Sequence, residues 1–93
     1  MKRYKVLVHA ENLKVRRGRR YQKGGFYTTV FVSGWDSSEA GQIAIEFIGQ
    51  DHGFSESLGN DSDDPPRLSA VEVVDEPDAT DATQRTGLAF YTE

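Results

Sequence analysis

Seven consecutive residues, Phe26-Tyr27-Thr28-Thr29-Val30-Phe31-Val32, are all aromatic or β-branched. Such side chains are restricted at χ1 in a helix and pack well on a pleated surface, so the run is read as a strand. Side chains along a strand alternate between the two faces of a sheet. Phe26, Thr28, Val30 and Val32 therefore share one face, and Tyr27, Thr29 and Phe31 share the other. Large groups stand on both, so whatever this strand belongs to needs cover on two sides.

A partner strand precedes it. Tyr4, Val6, Val8 and Ala10 alternate with Lys5, His9 and Glu11, the period of a half-buried strand, with Leu7 on the polar side and Leu13 and Val15 extending the pattern. Between the two lies Arg16-Arg17-Gly18-Arg19-Arg20-Tyr21-Gln22-Lys23-Gly24-Gly25. Glycines there suit a turn that needs positive φ. The pair reads as an antiparallel hairpin whose connection is longer than the tightest kinds.

The period then changes. Asp36 or Ser37 stands at a helix-cap position, and Asp36 with Glu39 resembles a capping box. Ala40, Ile43, Ala44, Phe47 and Ile48 follow at helical spacing, which predicts a helix near 37–50 with Ile43, Ala44, Phe47 and Ile48 facing a sheet. Gly49 or Gly53 is its expected end. Residues 51–66 are polar, with two prolines, and read as a loop. Residues 67–74 form a third strand between Pro66 and Pro77, 75–87 read as a second loop or partly mobile segment, and Leu88 to Tyr91 as a short edge strand or a tail. The first strand is expected between the second and third. The fold class is α+β: residues 1–93 as one domain, a single antiparallel-rich sheet of three to four strands with one helix on one face, in the order β-β-α-β-(β).

At Gly25-Phe26-Tyr27-Thr28-Thr29-Val30-Phe31-Val32 and at Ser38-Glu39-Ala40 the chain resembles a set of small bacterial proteins of uncharacterised function. The resemblance spans roughly Tyr4 to Val74. It implies the same strand-hairpin-helix-strand pattern and no activity.

Chemical signatures are sparse. There is no cysteine, no phosphate-cradling glycine loop and no Gly-x-Ser-x-Gly. His9 and Glu11 offer only two ligands of the three or four that a metal site needs, and His52 stands by Asp51 and an acidic loop. That loop, Asn60-Asp61-Ser62-Asp63-Asp64, fails as a calcium site because Pro65 and Pro66 follow where a glycine turn is required. No metal, cofactor or catalytic residue is expected. The absence of cysteine, of a signal-peptide pattern and of any membrane-length apolar run points to a cytoplasmic protein away from membranes.

Charge is the sharpest surface feature. Residues 1–23 hold nine of the eleven Lys and Arg against Glu11 alone, a net +8, whereas the rest carry Arg67 and Arg85 against fourteen carboxylates, a net −12. Lys14, Arg16, Arg17, Arg19, Arg20 and Lys23 fall within ten residues, interleaved with Tyr21. Such a cluster suits phosphates or a partner's carboxylates, and it equally suits a solvated hairpin tip or the protein's own acidic loops. A second surface follows from the shortage of helices. One helix covers one face of a sheet, which leaves Leu7, Tyr27, Phe31, Val71 and Val73 as a candidate interface on the other. A homodimer, a protein partner or the tail after Asp75, with Leu88, Phe90 and Tyr91, would cover it. Trp35 is expected to seal one end of the core. The function read from these features is a small interaction module docking through the open sheet face; the alternative is nucleic-acid or other polyanion binding through the hairpin 14–23.

Overall fold

A computed structural model of the chain describes residues 1–50, 59, 63–77 and 84–92. The elements are β1 (Lys2–Arg17), β2 (Arg20–Gly34), α1 (Ser37–Gly49), β3 (Arg67–Asp75) and β4 (Gln84–Thr92). The four strands form one sheet in the order β3-β1-β2-β4, every neighbouring pair antiparallel. β1 lies between β2 and β3, the place expected for the first strand. The segment 75–87, read as a second loop, is entered by strand at both ends: β3 reaches Asp75 and β4 begins at Gln84. Residues 51–58, 60–62 and 78–83 lie outside the described set.

Tyr4, Val6, Val8 and Ala10 pair with Val32, Val30, Thr28 and Phe26, so both rows face the same side. All eight are buried, together with Ala40, Ala44 and Ile48 of α1. Leu68, Ala70 and Val73 of β3 pack against the same cluster. The core is thus one layer between helix and sheet. Asp36 caps the helix, its carboxylate accepting from the Glu39 amide at 2.8 Å, while Glu39 accepts from the Trp35 amide at 3.2 Å. This is a capping box displaced by one residue, and it sets the helix phase. The phase buries Ala40, Gly41, Ala44 and Ile48, whereas Phe47 is 38% exposed and Ile43 only half-buried. The expected placement of Phe47 against the sheet is therefore corrected. Small residues at 40, 41 and 44 bring the helix close to the strands, and the wider ring at 47 is left on the flank.

The hairpin also differs from expectation. Strand pairing continues to Arg17↔Arg20, which leaves only Gly18 and Arg19 in the loop. Gly18 has φ +62, and a glycine at the first position of a two-residue loop is what a II′ hairpin demands. Gly24 and Gly25 are not turn residues. They sit in β2, where a Cβ on Gly25 would collide with the Ala10 carbonyl and the Tyr91 ring. A bulge between Ala10 and Leu13 places one extra residue in β1 and shifts its alternation, returning Leu13 to the core side at 1% exposure. Asn12 adopts φ 58 there, a conformation that asparagine tolerates better than most residues.

Candidate functional site

β3 pairs with β1 only over Tyr4 to Glu11, and β4 pairs with β2 only over Gly24 to Phe31. The paired ends of β1 and β2 therefore run beyond both neighbours as a two-stranded arm. The molecule is correspondingly long, 45 × 24 × 21 Å.

The root of the arm is braced. Lys23 Nζ donates to Asp64 Oδ2 at 2.6 Å and to Asn12 Oδ1 at 2.8 Å. Asn12 Nδ2 donates to Asp64 Oδ1 at 2.7 Å and to the Pro65 carbonyl at 3.1 Å. The left-handed backbone at Asn12 thus aims its amide at the loop before β3. These bonds, Lys23 first and Asn12 second, hold the Asp64 carboxyl below its ordinary value of 3.8. The Gly59 amide donates to the Lys14 carbonyl at 2.7 Å, and Lys14 Nζ lies 5.2 Å over the Tyr21 ring. Two of the six clustered cations, Lys14 and Lys23, are therefore engaged at the root.

Arg16, Arg19 and Arg20 lie exposed beyond it. Arg16 Nε donates to the Gly18 carbonyl at 3.1 Å, which folds its stem back along the turn. Among the described residues the ion pairs Lys23–Asp64 and Arg67–Glu11 involve none of these three arginines. Arg17 pairs with Arg20 in the backbone register and Arg16 with Tyr21, so residues 16 and 20 fall on opposite faces of the ribbon, with Arg19 in the turn. The concentration of cations in residues 14–23 indicates the cluster. That it extends past β3 and β4 follows only from where those strands stop, and Gly59 lies against the Tyr21 ring on its Arg16 side.

The face of the sheet away from α1 carries Lys5, Leu7, His9, Tyr27, Thr29, Phe31, Glu72 and Val74 by register. Val73 is not among them, because its register partner Val6 is in the core and its side chain packs on the helix side. Val71 is the extra residue of a bulge in β3 and is 56% exposed. Leu7 and Phe31 are only half-buried, not open. Tyr27 stacks on His9 with ring centroids 4.4 Å apart, and His9 Nε2 meets the Tyr91 hydroxyl at 2.6 Å. β4 joins the edge of β2 and brings the Tyr91 ring over part of this face. What remains is a shallow depression of about 150 Å³ lined by Lys5, Leu7, Thr29, Glu72 and Val74, below the few hundred Å³ of typical ligand sites.

Trp35 was expected in the core and is 69% exposed at the strand-to-helix junction, because the cap turns its backbone, not its ring, toward the helix. Among the described residues no three His, Cys, Asp or Glu side chains group as metal ligands, and no helix is long and apolar enough to cross a membrane. His52 lies outside the described residues. Compared with protein-family models, curated proteins and solved structures, the chain matches none of them.

Proposed function

We propose that this chain is a non-enzymatic binding module whose basic arm engages an anionic polymer. One observation carries the reading: Arg16, Arg19 and Arg20 are exposed on a ribbon that extends past every neighbouring strand, while the lysines at its root are occupied. Guanidinium groups accept phosphate and carboxylate oxygens through paired N–H donors, and exposed ones need no desolvation of a buried partner to do so. The body behind them is strongly acidic, so a polyanion is attracted to the arm and repelled elsewhere. The test is retention on heparin resin. Wild-type protein is expected to bind and to elute with salt; R16Q/R19Q/R20Q is expected to flow through with an unchanged melt, since exposed charges contribute little to stability. Equal retention of the variant refutes the reading.

A second reading keeps the open face as a protein-docking surface, favoured by Tyr27 and Val74, which remain 38% and 39% exposed there beside half-buried Leu7 and Phe31. Lys5 and Glu72 on the same face make it mixed in character, which suits a modest self-association better than an obligate one. Light scattering decides it: a mass that stays monomeric across a wide concentration range removes the homodimer.

A further inference from the structure

We infer that the outer edge of β3, beside α1, takes an extended peptide of a partner protein that carries a lysine or arginine. The site is separate from the arm and goes beyond the polyanion reading. β3 ends the sheet on its side, and among the described residues no strand pairs with its outer edge. Such an edge presents backbone donors and acceptors on which an added strand forms. A trough of about 560 Å³ lies along it, within the range of ligand sites. Ala70 and Val73 line it from the helix side of β3 and Ser69 from the other side. It therefore opens on the edge of the strand and not on one face.

The helix forms the second wall, and its sequence leaves that wall low. α1 meets β3 through a glycine: a Cβ on Gly41 would stand 3.2 Å from the Ala70 Cβ. Outside this contact stand Ser38, a short side chain, and Gln42, whose amide donates to Glu46 along the helix at 3.4 Å. The floor between is apolar, from Ile45, Leu68, Ala70 and Val73, and suits small aliphatic side chains of an added strand. The bulge at Val71 breaks the edge, so a long flat strand cannot run its whole length. The occupant is short, because the edge from Leu68 to Asp75 spans roughly 23 Å at about 3.3 Å per residue.

At the far end the trough shares Ser37 and Val73 with a second, of about 640 Å³. There stand Trp35, 69% exposed, and the carboxylates of Asp36 and Asp75, opposed by Lys2. Two carboxylates against one ammonium, beside an indole, favour a cationic side chain. An indole left in water is also the residue type that anchors interfaces. The division of charge agrees, since the residues after Lys23 carry a net −12.

Trp35 is the single tryptophan of the chain, so its fluorescence reports on the site directly. The probe is the capped hexapeptide Lys-Val-Thr-Val-Thr-Lys, titrated into the full chain from micromolar to millimolar concentration. A saturable change in Trp35 emission is expected, with slowed amide exchange across Leu68–Asp75. Two altered peptides separate the parts of the inference. One is N-methylated throughout its interior and has no backbone donor left there; the other carries glutamates for lysines. Each should bind at least about tenfold more weakly. Asp75→Lys, at an exposed position, should weaken the lysine peptide about fivefold and leave the melt unchanged. R16Q/R19Q/R20Q should bind the peptide as wild type does, whatever its behaviour on heparin. No saturable response to the lysine peptide overturns the inference, as does equal binding of the N-methylated one. A Trp35 response that follows protein concentration without peptide, with mass rising in light scattering, puts a second copy on the edge and overturns the partner peptide.

Discussion

Ile48 and Phe47 are neighbours in the apolar stripe of α1, yet the structure gives them opposite weights. Ile48 is 0% exposed and belongs to the core cluster; Phe47 is 38% exposed on the helix flank. Truncating Ile48 to Ala removes three carbons, about 2.4 kcal/mol of transfer free energy at roughly 0.8 kcal/mol per methylene. A residual cavity adds to this, because Val6, Val8 and Leu13 around the core are held by strand pairing and cannot collapse into it. The expected cost is about 3 kcal/mol, toward the middle of the range for buried Ile to Ala. In a domain of this size each kcal/mol shifts Tm by about 4–8 °C, so the melt should fall by about 12–24 °C. Phe47→Ala removes more atoms but leaves a position already open to water, and about 1 kcal/mol is expected. Thermal unfolding followed by circular dichroism compares the two under identical conditions. If Phe47→Ala costs as much as Ile48→Ala, the helix phase described above is wrong, whatever the absolute values.

Four further outcomes are expected. The Asp64 carboxyl, held low by Lys23 and Asn12, should titrate below 3.8 by carbon-detected NMR, and Lys23→Gln should bring it back up. Because the folded value is the depressed one, any stability it supplies is fully present above about 3.9 and disappears as pH falls through the folded value; an Asp64 that titrates at the ordinary value in wild-type protein contradicts the brace. Tyr91→Phe removes the hydroxyl at His9 Nε2 and should cost about 1 kcal/mol in urea unfolding, with an unchanged melt refuting the contact. Gly25→Ala forces a Cβ against the Ala10 carbonyl and Tyr91 and should cost about 1–3 kcal/mol. Gly18→Ala meets no atom and should cost about 1–2 kcal/mol through its positive φ alone. Equal exchange protection of β4 amides in wild type and Gly25→Ala would show that the Tyr91 ring does not lie close over Gly25.

Much of the architecture was legible from local chemistry. Period-two alternation in residues 4–10 and the β-branched run 26–32 are properties of consecutive side chains, and both strands appear where those patterns stand. The Asp36 cap and the helix ending at Gly49 follow from residues within one turn of each other. So does the concentration of cations before residue 24. Other features depend on residues far apart in the chain. Gly24 and Gly25 look like a turn because nothing nearby reveals that Tyr91 will pass over them; Gly18 takes the turn because strand pairing zips until only two residues remain. Asn12 shows no local sign of a bulge, and its role is visible only once Asp64 and Pro65 stand beside it. Val73 moves to the helix side because one extra residue at Val71 reverses the alternation that places its neighbours. The sequence by itself determined the central parts of the first three strands, where the helix is capped, and that the charge is divided. Tertiary structure alone decided where β3 and β4 stop, and hence which of the clustered cations are braced at the root and which project beyond it, because that boundary is set by pairing between segments more than fifty residues apart.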